Sequence, residues 1–593
     1  MVEPTILFDD AAHGRFRAFF QPRGIITTCN PEDVPAALGA LETVREMGLY
    51  AAGYFSYELG FALEPKLRKA LALKRDVPLL WFGVFDAPQK IDNIEGAFDT
   101  WCHGRAYAGP LHYLWDQARY RERFTHVRQL IKAGDLYEAN LTFQAEFSFV
   151  GDPMALYRSL RAGSAAPHGA YVNDGARVIL SLSPELFFDI RQGTITTRPM
   201  KGTAPRMHSP REDQMMHDVL FNSAKDRAEN LMIVDLMRND LSRIAQAGSV
   251  ETSNLFAIES YPTVHQMVST VTAQTKVGIS VNDMVRALFP CGSITGAPKI
   301  RAMEVLQDVE DGPRGVYTGA IGYFSPKGDA QFNVAIRTLT IPGTCRDDFQ
   351  TVGTTGRLGI GGAVVYDSDA TSEYAECLLK SRYMTLNHQP LELIETLRFT
   401  PAQGFTRLPL HLARMANSAA CFRLPFDENA ARQTLDDAVA AAQGPLRVRL
   451  VVNEAGAFSA TTAPLGPTPT VWTYAMSPKP VASGDLFARH KTNLRELYEG
   501  EHARLSNLSG CDEVLFCNER GELAEGSRSN IFIRRDGKLR TPPLSTGALD
   551  GCLRRELIEM GQAVETILTP TDLAGEILVG NSLRGLIPAV PIV

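Results

Sequence analysis

The segment Tyr383-Met-Thr-Leu-Asn-His-Gln-Pro390 divides this chain. It is a polar connection that ends in proline, and beyond it an apolar pattern restarts as a strand, Leu391-Glu-Leu-Ile-Glu-Thr396, before an alanine-rich stretch around Asn429 to Gln443. A boundary is expected near residue 388. At 593 residues the chain exceeds what one hydrophobic core supports, and three portions are expected, residues 1–110, 111–388 and 389–593.

Composition excludes several classes of function. A net charge of -7 without a clustered basic stripe argues against a nucleic-acid partner. No apolar run reaches the roughly 18 residues of a membrane span, and Met1 to Asp10 carries acids where a signal peptide needs a basic region. Nine cysteines with no CxxC pair form neither a disulfide framework nor a zinc site, so reduced thiols in a soluble, cytoplasmic protein are expected.

The first 110 residues alternate short apolar runs with turns, as in Gly24 to Thr28 and Leu79 to Phe85, with a helical pattern through Pro35 to Arg45. A second helical pattern, Phe124, Val127, Leu130 and Ile131, leads to a break at Gly134-Asp135 before a strand. Ile179 to Phe188 reads as two strand-like runs broken at Pro184. That leaves Glu185 between apolar neighbours, where burial raises a carboxyl pKa and favours the protonated form a general acid needs. Thr194-Ile-Thr-Thr197 is extended, and Lys201 lies between it and a Gly202-Thr203 turn, where a strand ends and a loop begins.

Lys225 to Asp240 reads as a helix with Asp226 and Glu229 one turn apart, and Ser372 to Lys380 repeats the arrangement with Glu373 and Glu376. Two helices presenting oxygen ligands at i and i+3 suit a hard cation such as Mg2+; either pair alone fits a solvated helix face. Gly292-x3-Gly296-x2-Lys299 lacks the ending of a phosphate loop, and Gly359-Ile-Gly-Gly362 is not a dinucleotide fingerprint, so nucleotide chemistry is rejected. A carboxylate cradle fits better: glycine backbone approaches an anion closely and donates N–H groups, Arg337 offers a fork and Tyr317 a hydroxyl.

Arg198-Pro-Met-Lys-Gly-Thr203 resembles the Pro-Ile-Lys-Gly-Thr segment of the chorismate-utilising enzymes, in the aminodeoxychorismate synthase component I branch. Gly134 to Thr142, Tyr261 to Ser269, Pro290 to Lys299, Tyr317 to Tyr323, Ala335 to Thr338 and Leu358 to Asp369 follow in that family's order. The resemblance implies an α+β protein whose large chorismate-binding β-sandwich, with surrounding helices, is completed by residues 1–110. Lys201 would be the nucleophile, its amine activated as desolvation lowers its pKa. Glu185 would be the acid, His265 an active-site residue, and Glu229 and Glu376, with Asp226 and Glu373, the Mg2+ site. Thr203, Ser293, Thr295, Tyr317, Arg337, Gly361, Gly362 and Lys380 would contact the substrate.

After residue 388 the chain resembles the fold-type-IV pyridoxal-phosphate enzymes, a two-subdomain α/β unit. His411 to Ala419 matches the helix whose arginine, here Arg414, holds the cofactor phosphate. His490-Lys-Thr-Asn493 matches the lysine segment, so Lys491 would hold pyridoxal 5'-phosphate covalently. Leu523 to Phe532 supplies Glu525 to pair with the pyridine nitrogen, with Ser529 and Asn530 beside the cofactor. One departure stands out: Gly551-Cys-Leu-Arg554 carries Leu553 where the aminotransferase branch has a phosphate-binding threonine, so phosphate binding would lean on backbone N–H groups around Ser527 and Asn530.

Together the two resemblances imply amination of chorismate at C4 followed by elimination of pyruvate to give 4-aminobenzoate. No glutaminase unit with a reactive cysteine is visible, so ammonia is expected from a separate glutamine amidotransferase subunit. A homodimer would form through the C-terminal unit. The alternative is a synthase alone, with an aminotransferase or a non-catalytic scaffold behind it.

Overall fold

A computed structural model describes residues 3–71, 75–207, 209–260, 264–343, 353–385 and 388–592. Tyr261 to Thr263 of the His265 stretch, and Leu386 and Asn387 of the connection, lie outside them. Alternating apolar residues in the first two-thirds of the chain build two antiparallel sheets, of eleven and ten strands among the described residues. Strands Ile6–Asp10, Arg15–Phe19 and Gln89–Ile91 complete the first sheet, and Gly24–Thr28, Tyr50–Phe55 and Leu80–Phe85 complete the second. The two sheets face each other across a buried layer that includes Ile6, Phe19, Tyr54, Trp81, Ile179 and Ile321.

Helices close the outer faces. Gln117–Lys132 starts where Asp116 accepts the Arg119 amide at 2.8 Å, a cap worth about 1 kcal/mol. It buries Tyr120, Phe124, Val127 and Ile131, the stripe that its sequence pattern requires, and stops before Gly134, whose φ is +84°. On the other side Ala224–Ser242, capped by Ser223, packs across the strands Met200–Pro205 and Val264–Gln274.

The C-terminal unit has two layers of its own. A four-stranded antiparallel sheet around Leu393–Thr400 and Leu446–Val452 carries the helices Leu408–Phe422 and Glu428–Val439. An eight-stranded mixed sheet follows, with Trp472–Met476 parallel to both Glu513–Cys517 and Gly585–Pro591. The fold is therefore the expected mixture of sandwich and α/β unit. Tyr107 and Val150 of the first sheet are buried in the C-terminal unit's core, beside Leu391, Phe422 and Phe487.

Candidate active sites

Lys201 belongs to a strand, not to the loop its sequence suggested. Pro199 ends the strand Thr194–Arg198, but Met200–Pro205 resumes pairing with the same neighbour, Val264–Gln274, in the same register at Met200, and the register shifts only between Met200 and Thr203. Gly202 makes that shift at φ +94°, and a Cβ there would come within 3.0 Å of the Asp226 side chain.

The Lys201 amine donates to Glu138 Oε1 at 2.7 Å, and Glu138 is fully buried. Burial pulls the lysine pKa down, yet Glu138 and Glu229 push it up, and the net shift is upward. This corrects the expectation of an amine activated by desolvation: in this state Lys201 is an ammonium ion held by a carboxylate. Glu185 is shifted toward its protonated, neutral form. Burial pushes it up to about 7 against the Ser293 hydroxyl, which donates to Oε1 at 2.7 Å, and against Lys201.

Four acids face this pair from two helices. Glu229 and Glu376 both act on Lys201, Glu376 pairs with Lys380 at 2.9 Å, and Glu373 accepts from Ser368 at 2.7 Å. Asp226 stands over Gly202. The glycine-rich strand Thr354–Val364 pairs along one edge with Glu138–Gly151, while among the described residues its other edge pairs with Thr338–Pro342 only at Arg357 and Leu358. Gly361 offers its carbonyl to Lys380 at 3.0 Å, a Cβ on Gly362 would lie 3.6 Å from the same amine, and Gly359 leaves room for the Tyr317 ring. Arg337 acts electrostatically on Tyr383. Thr295 is buried and donates to the Cys291 carbonyl at 2.8 Å, whereas Thr203 is exposed.

His265 makes no hydrogen bond to this group. Its ring nitrogens meet Ser260 Oγ at 2.8 Å and Asp213 at 3.0 Å, and Arg206 forks onto the same Asp213. Sequence reading passed over Glu138. Its signal was available: Glu138, Asn140 and Thr142 alternate on one strand face and all three are buried, while Ala139, Leu141 and Phe143 fill the helix-covered face.

A second buried lysine marks the C-terminal unit. Burial lowers Lys491 to about 8, and its amine donates to Thr396 Oγ1 at 2.9 Å. Glu525 is fully buried and pushed up to about 7; one oxygen accepts the Leu549 amide at 3.0 Å and the other has no hydrogen-bond partner. That orphaned acceptor fits the protonated ring nitrogen of pyridoxal phosphate. Arg414 is more committed than expected. Glu395 takes its Nε at 2.8 Å and an Nη at 2.6 Å, and the Asp550 carbonyl takes the other Nη at 3.0 Å. Ser529 turns its hydroxyl to Glu513 at 2.6 Å, and the Asn530 amide donates to the Leu549 carbonyl at 2.9 Å.

Residues 89–386, half of the chain, match the model of the chorismate binding enzymes, and residues 392–592 match that of class IV amino-transferases. The chain belongs to the chorismate binding enzyme family. Aminodeoxychorismate synthase component 1 of Escherichia coli strain K12 is 36% identical over 377 residues, covering 60% of this chain and 78% of that one. The enzyme of the same name from Klebsiella aerogenes is 44% identical over 259 residues, and there the chain spans about half of its relative, 55%. Anthranilate synthase component I from Streptococcus pneumoniae TIGR4 shares the fold, with a TM-score of 0.51 at 23% identity over 62% of this chain and 91% of that one. The class IV match implies pyridoxal phosphate as the second unit's cofactor.

Proposed function

We propose that this chain converts chorismate to 4-aminobenzoate in two steps, amination at C4 and then loss of pyruvate. The observation that carries the reading is the lysine set beside two buried carboxyl groups, Glu138 hydrogen-bonded to it at 2.7 Å and Glu185 with its pKa pushed up to about 7. The Lys201 amine adds at ring C2 while Glu185 protonates the departing C4 hydroxyl; ammonia then adds at C4 and the lysine is expelled. Arg337, Tyr317 and Lys380 supply cation and hydroxyl groups for the substrate carboxylates. His265 orders the neighbouring strand from its place between Ser260 and Asp213.

Mg2+ fits the first site by donor chemistry. Asp226 and Glu229 on one helix and Glu373 and Glu376 on the other supply hard carboxylate oxygens, and burial raises the Glu229 and Glu373 pKa values, a cost that a bound divalent cation would relieve. Glu229 and Glu376, supported by Asp226 and Glu373, would hold it, and it would anchor a substrate carboxylate.

In the second site pyridoxal phosphate would supply an electron sink. Lys491, whose pKa burial lowers to about 8, would move the proton next to the substrate nitrogen, Glu525 would hold the ring nitrogen, and Arg414 would bind the phosphate. A separate amidotransferase subunit would deliver ammonia, in a cytoplasmic setting that suits thiols such as Cys291, Cys377 and Cys511, which form no disulfide. No helix among those residues is long and apolar enough to cross a membrane. A dimer would form through the C-terminal unit.

Product analysis by mass spectrometry with chorismate, ammonium and Mg2+, with and without pyridoxal phosphate, tests the whole reading. 4-Aminobenzoate and pyruvate support both steps. The non-aromatic amino intermediate alone restricts the chain to the first step, and ortho product overturns the role of Lys201.

A further inference from the structure

Glu138 is the hydrogen-bonded carboxylate of Lys201, at 2.7 Å, and its second oxygen is buried without a partner. Its backbone is fixed: Gly296 pairs opposite Ala139 and Ala297 opposite Glu138, and a Cβ on Gly296 would strike the Glu138 carbonyl at 2.3 Å. The segment that fixes it also carries Ser293, the donor to Glu185. Both carboxylates are thus set against Lys201 by one turn of chain. The other charged groups facing the amine, Glu229 and Glu376, are the acids assigned to the cation.

Resting on the synthase reading above, we propose that Glu138 is the proton partner of Lys201, taking the ammonium proton before addition and returning it on expulsion. In the first half the proton moves from Nζ to Glu138, the free amine forms the N–C2 bond, the ring double bonds shift, and the C4–O bond breaks as Glu185 gives its proton and water leaves. In the second half ammonia forms the C4–N bond and the C2–N bond breaks with its electron pair returning to Nζ. Glu138 then reprotonates the lysine, and Glu185 takes the surplus proton from the new C4 ammonium. Both carboxyls and the lysine end as they began. Displacement of water by the substrate favours the transfer, because a neutral acid and amine tolerate a dry site better than an ion pair does.

The test compares the full chain with Glu138→Gln, Glu138→Asp and Glu138→Ala. Rapid quench and intact-protein mass spectrometry follow the Lys201 adduct formed from chorismate and Mg2+ without ammonia, and calorimetry measures chorismate affinity. Glu138→Gln is expected to slow adduct formation about 100-fold or more, the range of general acid–base catalysis, with affinity kept within about threefold. Glu138→Asp should lose roughly tenfold, and added acetate should restore rate to Glu138→Ala. A Gln variant as fast as wild type, or an Ala variant that binds chorismate yet ignores acetate, overturns the role. A wild-type chain that forms neither adduct nor aminated product overturns the synthase reading, and the role of Glu138 falls with it.

Discussion

The phenol of Tyr107, on an edge strand of the first sheet, donates to Glu454 of the C-terminal unit at 2.7 Å. Glu454 also meets His388 at 2.9 Å and the Leu391 amide at 3.0 Å, so one carboxylate ties the sandwich to the connection and to the residues that lead into the strand Leu393–Thr400. The Tyr107 ring packs edge-on against Phe422, which in turn packs against His490 beside Lys491. The second lysine is therefore braced from the first unit.

Tyr107→Phe removes a hydrogen bond to a charged group and should cost about 1.5–3 kcal/mol. Tyr107→Ala should cost about 3–5 kcal/mol and separate the melting of the C-terminal unit from that of the sandwich. Calorimetric scans of the three proteins decide this. A Tyr107→Ala chain that melts like wild type would show that the contact contributes nothing.

Glu58 gives a pH dependence with a defined sign. It is buried, accepts the Arg314 and Gly315 amides at 2.7 and 3.1 Å, and burial pushes its pKa up to about 7. The folded state then binds the proton more tightly than the unfolded chain, so the contribution of Glu58 is full below the ordinary value of 4.5 and is lost as pH rises to about 7. The loss is about 3 kcal/mol at most. Glu58→Gln should flatten part of the fall in urea midpoint between pH 5 and pH 7.5, and an unchanged slope would refute the assignment.

Much of this was legible because the signals were local. The stripe on Gln117–Lys132, the Pro184 break that isolates Glu185, and the i, i+3 acids on two helices all follow from period and spacing. Lys201 was misplaced because the strand pairing continues in register across a proline and bulges only beyond Met200, and only the partner strand determines that. Glu138 was hidden for a related reason: a polar alternation reads as a solvated face until the opposing sheet buries it. The commitment of Arg414 to Glu395 and the bracing by Tyr107 join distant residues, and no window of sequence carries them.

Two glycines predict opposite outcomes. Gly39 is an exposed residue within the helix Val34–Glu46, and a methyl added there would meet nothing within 4 Å, so Gly39→Ala should stabilise by about 0.5–1 kcal/mol. A methyl on Gly359 would lie 2.1 Å from the Tyr317 ring. Gly359→Ala should cost about 1–3 kcal/mol through overpacking and weaken chorismate binding by displacing the phenol. Urea unfolding and chorismate calorimetry on the two variants would separate these cases.

Glu513 underlies the cofactor loop without touching the expected cofactor position. Its two oxygens accept the Ser527 and Ser529 hydroxyls and the Val514 and Arg528 amides, and its side chain is buried. The segment from Glu525 to Asn530 is thus shaped by one carboxylate, with the hydroxyls drawn away from solvent; its Gly526, Ser527 and Arg528 amides are committed to Ser529, Val514 and Glu513, so the backbone donors expected around Ser527 are already spent. Glu513→Gln exchanges an acceptor for a donor against this ring of donors. It should weaken pyridoxal phosphate binding by about tenfold, the 1.4 kcal/mol equivalent of one disrupted hydrogen bond, while the first site keeps its rate of chorismate amination. Titration of the apoprotein followed by cofactor absorbance measures the first effect and ammonium-dependent amination the second. If cofactor affinity is unchanged, the loop holds its shape through the Asn530 and Leu549 contact, and Glu513 is a buried structural acid alone.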